Sequence, residues 1–218
     1  MKKIRFLIAS GPTREPLDPV RFISNYSTGA MGRNLAAEAK KAGHKVTWVE
    51  CPKNIETALD LEKELKKQLP KNDVLIMAAA VCDVRPLKFS GKKIKKDHLS
   101  AIRVTKNPDI LEGLSKMKRE DQFFVGFALE TENILRNAFE KMQRKGLDLL
   151  VLQQVTKSKN PFGDKPIEAF ILGRGEDIKR FPFIKKQKLA QIIVATSEAM
   201  IRTQASRRSP YNLYGREF

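Results

Sequence analysis

The sequence predicts an α/β fold: a Rossmann-like, doubly wound and mostly parallel sheet with helices on both faces, in a single domain. Short apolar runs alternate along the chain with helical segments, an order typical of βαβ units. In the strand predicted at residues 73–79, every residue after Asp73 is apolar, as expected of a parallel strand covered on both faces. The 218 residues suffice for one domain and contain no internal repeat or low-complexity linker.

The first half of the chain contains three predicted strands and two predicted helices. The strands are predicted at residues 4–9, 45–50 and 73–79. The first helix begins after the Ser-Thr-Gly segment at 27–29 and ends at Gly43, because apolar residues recur between them at helical spacing. A second run at helical spacing begins near Ile55 and ends at Pro70, where proline cannot continue a helix.

The second half repeats this alternation. Strands are predicted at residues 123–128, 147–152 and 167–172, the last at an edge of the sheet. Asn107, Pro108 and Asp109 predict a helix start, with Asn107 as the N-cap side chain. Further helices are predicted at residues 131–146 and around 189–200. The domain is therefore expected to span residues 1–205, followed by a basic, loosely ordered tail at 206–218.

The composition is globular and strongly basic. Lys and Arg number 42 against 25 Asp and Glu, a net charge of +17, which indicates an anionic partner. That partner could be nucleic acid, an acidic membrane surface or a phosphorylated small molecule. Two cysteines and two histidines without ligand spacing exclude a disulfide framework and a histidine metal site. The amino-terminal apolar segment is too short for a signal peptide or membrane span, so we expect a cytoplasmic protein.

Glycines, small hydroxyls and one carboxylate follow the predicted strands, where ligands bind in an open α/β sheet. Ser10 and Gly11 end the first strand, and residues 27–29 open the first helix, where backbone N–H groups can approach an anion. A plain helix start explains that segment equally well. Asp83 follows the third strand and could accept a hydrogen bond from a base amine or a ribose hydroxyl, although single loop aspartates are common in turns.

Lysines form two candidate anion-binding groups. Residues 88–96 contain five lysines and no acid, in a long connection beside Gly91. Such a segment could be a mobile flap that closes on a polyphosphate, or simply a solvated charged run. Lys141 and Lys145 are spaced i, i+4 and share a helix face, where a common anionic partner or plain solvent exposure would explain them.

A long run, SGPTREPLDPVRFISN at residues 10–25, precedes shorter segments in a fixed order. These are Ser27-Thr28-Gly29, Ala78–Val81 with Asp83, Lys93–Lys96, Lys106–Leu111, Val125–Ala128 with Glu130-Thr131, Lys141, and Lys145–Asp148. Together they resemble the phosphopantothenoylcysteine synthetase family, the phosphopantothenate–cysteine ligases of coenzyme A biosynthesis. The resemblance covers nearly the whole chain. Bacterial members are often fused to a flavin-dependent decarboxylase, for which 218 residues leave no room, so we expect the stand-alone synthetase.

The resemblance implies a two-step ligation. The carboxylate of 4′-phosphopantothenate attacks the α-phosphate of a nucleoside triphosphate, for which we expect CTP rather than ATP, and pyrophosphate leaves. The amine of cysteine then attacks the acyl nucleotide and CMP leaves. The family implies Mg²⁺ as the companion of the triphosphate, although no metal ligands can be assigned, and a homodimer with no membrane or specific nucleic-acid partner.

The resemblance also implies residue roles. Asn25 would hold the carbonyl of the acyl nucleotide, Arg21 and Ala80 would act in the cysteine step, and Lys93 would belong to the flap. The predicted nucleotide-binding residues are Ser10, Gly11, Ser27, Gly29, Asp83, Lys93, Asn107, Pro108, Asp109, Ile110, Phe127, Lys141 and Lys145.

Two other classes of function remain as alternatives. A nucleic-acid-binding α/β module would use the net charge of +17, but no aromatic stacking platform accompanies the lysine run and no common binding motif is present. A nicotinamide-dependent Rossmann oxidoreductase would need a GxGxxG segment directly after the first strand, and the sequence has none there.

Overall fold

A seven-stranded sheet forms the centre of the molecule, as the computed structural model of residues 3–156, 160–175 and 177–207 shows. The strands are β1 (Arg5–Pro12), β2 (Arg14–Pro16), β3 (Phe22–Ser24), β4 (Lys45–Glu50), β5 (Val74–Ala80), β6 (Val84–Pro86), β7 (Val104–Lys106), β8 (Phe123–Glu130), β9 (Leu149–Gln154), β10 (Ile167–Gly173) and β11 (Ile178–Ile184). The helices are α1 (Ala30–Lys41), α2 (Ala58–Gln68), α3 (Ile110–Ser115), α4 (Ile134–Arg144) and α5 (Lys186–Arg207).

The strand order of the main sheet is β11-β10-β9-β8-β5-β1-β4. Strands β4, β1, β5, β8 and β9 are parallel, whereas β10 and β11 pair antiparallel at one edge. The five parallel strands therefore have the spatial order 2-1-3-4-5, with a topological switch point between β1 and β5. The predicted mostly parallel α/β sheet is confirmed.

Successive residues of the central strands face opposite sides of the sheet. In β1, Leu7 belongs to one buried cluster and Phe6 to the other. The first cluster is covered by α2, α3 and α4, and the second by α1 and α5. Both faces of the sheet are thus buried under helices, which explains why β5 has apolar residues at every position and confirms helices on both faces.

Several elements differ from the prediction. Strand β11 has little apolar alternation, because most of its side chains are exposed, and it includes Pro182. Two short ribbons, β2–β3 and β6–β7, lie within connections in which the sequence predicts no strand. Helix α5 continues to Arg207, so the domain boundary predicted at residue 205 falls within its last turn. Residues 208–218 of the predicted tail lie outside the described part of the chain.

No helix in the described ranges has both the length and the apolar character needed to cross a bilayer.

Candidate functional site

A cleft of about 750 Å³ lies at the carboxyl ends of β5, β8 and β9, within the size range of small-molecule sites. Its walls include the start of α1 (residues 29–31), the loop after β5 (residues 81–84), the start of α3 and the loop at Pro161-Phe162. Parallel strands end at a common edge, and loops from distant parts of the chain therefore meet there. The predicted site residues in the lining are Asn25, Ser27, Gly29, Ala80, Asp83, Asn107, Pro108, Asp109, Ile110, Phe127, Lys141 and Lys145.

Glycines bring α1 close to β1 on one side of this cleft. Gly29 precedes the helix with a left-handed backbone (φ +69°), which favours glycine. A Cβ at Gly32 would lie 2.0 Å from the Cβ of Ser10, so a larger residue would displace α1. The α1 N-terminus is thereby fixed at the cleft, with its first backbone N–H groups at the cleft end of the helix.

Ser10 and Gly11 lie beneath the cleft wall and outside its lining. Ser10 is fully buried, and its Oγ accepts a hydrogen bond of 2.8 Å from Nε1 of Trp48. A Cβ at Gly11 would lie 1.9 Å from the carbonyl oxygen of Cys51, so glycine is required for the close approach of these two segments. In this structure both residues shape the wall through packing.

Asn25 is exposed at the end of β5, where a hydrogen bond holds its side chain beside a buried network. Its Nδ2 donates to the carbonyl oxygen of Val81 at 2.9 Å. Thr13, which is fully buried, joins the neighbouring segments: its Oγ1 accepts from the amide of Cys82 at 3.0 Å, and its carbonyl oxygen accepts from Oγ of Ser24 at 2.7 Å. The Asn25 side chain and Ala80 thus lie in the same wall of the cleft.

Asn107 fastens the loop after β5 and does not cap a helix. Its Nδ2 donates to the carbonyl oxygen of Cys82 at 2.9 Å, and its Oδ1 accepts from Arg85 at 2.9 Å. The N-cap of α3 is instead Asp109, whose Oδ1 accepts from the amide of Glu112 at 3.2 Å. The predicted capping role of Asn107 is wrong, because its amide is committed to the loop that contains Asp83.

The two predicted lysines of α4 each face a carboxylate. Nζ of Lys145 lies 3.0 Å from Oδ2 of Asp109, and Lys141 forms a short ion pair with Glu130. Both lysines line the cleft, so their shared face is turned toward the site. Asp83 contributes an exposed carboxylate to the same cleft.

Arg21 and Lys93 lie outside the lining of the cleft. The guanidinium of Arg21 pairs with Asp18 and donates to the carbonyl oxygen of Ile94 at 2.7 Å, while the amide of Ile94 donates to Oδ2 of Asp18 at 3.1 Å. The Asp18 carboxylate accepts hydrogen bonds from Arg21 and from the amides of Val20 and Ile94, and these hold its pKa well below its usual range. The segment with exposed Lys93 is therefore docked against this turn.

The cleft also contains residues that the sequence did not single out. Tyr26 and Phe162 both line the cleft, and the centroids of their rings lie 6.2 Å apart. Lys186, the first residue of α5, lies in the wall. No local motif marks these residues, because they come from loops and a helix start far apart in the chain.

Protein ligands for a metal ion are sparse. In the described ranges, no group of three or more His, Cys, Asp and Glu side chains could hold an ion. Mg²⁺ commonly binds through substrate phosphates and water with only one or two carboxylates. The sparse protein donors fit a metal ion that enters with a triphosphate and is held mainly by its phosphate oxygens and by water.

Comparison with known proteins places the chain in a family. Residues 1–200 match the family model described as the DNA/pantothenate metabolism flavoprotein C-terminal domain. The coenzyme A biosynthesis bifunctional protein CoaBC of Escherichia coli K12 is 35% identical over 210 residues, covering 89% of this chain and 51% of that protein. A protein named cysteine/cysteine sulfinic acid decarboxylase, from an unknown prokaryotic organism, is 37% identical over 203 residues, covering 87% and 56%. The chain thus spans about half the length of the curated relatives it matches.

Solved structures match over nearly the whole chain. The crystal structure of the C-terminal domain of CoaBC has a TM-score of 0.76 and 28% identity, covering 93% of this chain and 98% of that one. A Cab2 mutant in complex with phosphopantothenate-cysteine has a TM-score of 0.68 and 17% identity, covering 94% and 88%, and shows the shared fold.

Proposed function

This chain belongs to the family of the DNA/pantothenate metabolism flavoprotein C-terminal domain, and we propose on that premise that it joins 4′-phosphopantothenate to cysteine through an acyl nucleotide formed with CTP. One observation supports this most: a single cleft collects all the predicted site residues except Ser10, Gly11, Arg21 and Lys93. An amide, a carboxylate and two lysines from three separate segments meet there, as a site for a nucleotide and a reacting carboxylate requires.

The first step forms an acyl nucleotide. A carboxylate oxygen of 4′-phosphopantothenate attacks the α-phosphorus of CTP, and the bond from that phosphorus to the bridging oxygen of the β-phosphate breaks. Pyrophosphate leaves with the electron pair. Lys141 and Lys145 lie where they can stabilise phosphate charge, and the Asp83 carboxylate can accept a hydrogen bond from the amine of the base. Mg²⁺ bound to the triphosphate would neutralise further charge.

The second step forms the amide. The amine of cysteine attacks the acyl carbon, the bond from that carbon to the phosphate oxygen breaks, and CMP leaves while the amine loses a proton. Charge develops on the carbonyl oxygen during this attack. The amide of Asn25, whose position is fixed by its contact with Val81, would stabilise that charge.

A pyrophosphate assay tests the proposed function. The protein is incubated with Mg²⁺ and either CTP or ATP, with and without 4′-phosphopantothenate and cysteine. We expect CTP-dependent pyrophosphate release that requires 4′-phosphopantothenate, with cysteine needed for turnover. If neither nucleotide gives pyrophosphate, the ligase proposal fails. Tight binding to DNA or RNA at physiological salt would then favour the nucleic-acid alternative.

Lys93 is proposed to enter the site when the flap closes. Lys93→Gln is expected to lower the turnover rate about tenfold, because one cation would be missing from the phosphates in the transition state. Lys88→Gln is the matched control: Lys88 is an exposed lysine of the same segment, and its loss should leave the rate unchanged. The measurement is steady-state pyrophosphate release. Equal effects of both substitutions would indicate a merely solvated lysine run.

A homodimer is proposed from the exposed apolar side chains of the two ribbons and their connections. Val20 and Leu87 are each 60% exposed, and Phe22 and Val104 about half exposed, an arrangement typical of a protein interface. Val104→Glu is expected to convert the dimer to a monomer, because it places a charge among these side chains. Light scattering after size-exclusion chromatography measures the mass. Ile178→Glu, an exposed apolar residue on β11, is the control that should remain dimeric, and a monomeric wild type would contradict the proposal.

A further inference from the structure

Lys186 is a buried cation in the wall of the cleft for which the proposed chemistry has no role. It is 7% exposed, and its Nζ donates to the carbonyl oxygen of Pro161 at 2.7 Å and to that of Gly163 through a short hydrogen bond. These contacts hold the loop that places Phe162 in the cleft. An ammonium group has three donors, and the two carbonyls leave one N–H for a further partner.

The surroundings of this ammonium disfavour its charged form. Burial lowers the pKa of Lys186, the charge of exposed Asp164 opposes this, and the charge of Arg33 lowers the pKa further. Lys186 is also the first residue of α5, where the helix dipole disfavours a cation. Within the described ranges, no carboxylate forms an ion pair with Lys186. A buried cation without an ion-pair partner is costly, and an anion in the cleft would offset that cost.

The start of α1 forms the same corner of the cleft. Residues 29–31 line it, and α1 and α5 pack side by side, with Nε2 of Gln187 donating to Oε1 of Glu38 at 3.1 Å. Arg33, in the first turn of α1, is close enough for its charge to lower the pKa of Lys186. Phosphate oxygens are the ligand atoms that suit free backbone N–H groups together with a cation.

We propose that Lys186 binds a phosphate group of the nucleotide in this cleft and so contributes to its affinity. The proposal rests on the proposed function, because it takes the ligand to be a nucleoside triphosphate. The corner at α1 contains Ser27 and Gly29, which belong to the predicted nucleotide site, so the nucleotide phosphates are assigned here rather than the phosphate of 4′-phosphopantothenate.

Calorimetric titration of CTP and of cytidine into the same variants tests this role. Lys186→Met removes the charge at similar length, and we expect CTP to bind about tenfold more weakly while cytidine binding stays unchanged. Lys186→Arg keeps the charge and should recover part of the CTP affinity. Lys188→Met is the matched control, since Lys188 is an exposed lysine two residues along the same helix, and it should bind CTP like the wild type.

The outcomes separate this proposal from the function on which it rests. Equal losses for CTP and cytidine would mean that Lys186 only orders the loop at Pro161 and Phe162, and the proposal would be wrong. Unchanged CTP affinity would also overturn it. A wild type that binds CTP but gives no pyrophosphate would overturn the ligase function alone. If Lys186→Met does not fold, Lys186→Gln is tested instead, because its amide can still donate to a loop carbonyl. That variant should also bind CTP more weakly and cytidine with unchanged affinity.

Discussion

Replacement of Asn25 by aspartate is expected to slow the conversion of 4′-phosphopantothenate and cysteine by about 10²- to 10³-fold, the loss typical of one removed oxyanion donor. The Asn25 amide donates to the carbonyl oxygen of Val81 at 2.9 Å and so has a fixed position at the end of β5. An ionised carboxylate cannot donate to that carbonyl or to a developing oxyanion. The substitution therefore removes both the anchor of the side chain and its proposed catalytic hydrogen bond.

The affinity for CTP is expected to change little in this variant, because Lys141, Lys145 and Asp83 remain in place. Single-turnover formation of CMP measures the chemical steps, and calorimetry measures CTP binding separately. Asn34→Asp is the matched control. Asn34 also donates from its amide to a main-chain carbonyl, that of Ala30 at 2.8 Å, but does not line the cleft. A large loss of CTP affinity without a slower chemical step would place Asn25 in nucleotide binding instead of carbonyl stabilisation.

The central sheet was predictable because local pattern and tertiary environment agree there. The apolar run of β5 is buried on both faces, and the apolar faces of α2 and α4 are the faces that pack on the sheet. Strand β11 was missed because an edge strand with exposed side chains needs no apolar alternation. The ribbons β2–β3 and β6–β7 were missed because three-residue strands are too short to produce a periodic signal.

The candidate site was predictable to the extent that it follows strand ends and a family pattern. Asp83 and Phe127 come together because β5 and β8 are parallel neighbours. The sequence could not distinguish a small residue needed for packing, such as Ser10, from one that contacts a ligand. The sequence did not single out Lys186 as a cleft residue. Its place in the cleft depends on the packing of α5 against α1, whose first residue lies more than 150 positions earlier in the chain.

A buried ion pair at the amino ends of β8 and β9 should contribute strongly to stability. Asp148 precedes β9, and its Oδ2 accepts from the amide of Phe124 at 2.6 Å and from the ammonium of Lys118. Nε of Arg174 lies 3.0 Å from its Oδ1. Burial lowers the pKa of Lys118, and the hydrogen bond that its ammonium donates to Asp148 opposes this. The carboxylate thus keeps a desolvated cation charged and satisfies a buried backbone amide.

Asp148→Ala is expected to lower the free energy of unfolding by about 3–5 kcal/mol, because it removes the counter-charge of the buried Lys118 ammonium. Arg174→Ala, which removes a largely exposed partner of the same carboxylate, should cost at most about 1 kcal/mol. The double variant Asp148→Ala/Lys118→Met should be more stable than Asp148→Ala alone, since the orphaned charge is gone. Urea denaturation measures all three, and similar losses for Asp148→Ala and Arg174→Ala would contradict this account. The folded fraction of each variant should keep its CTP affinity, because the cleft lies at the other end of the strands.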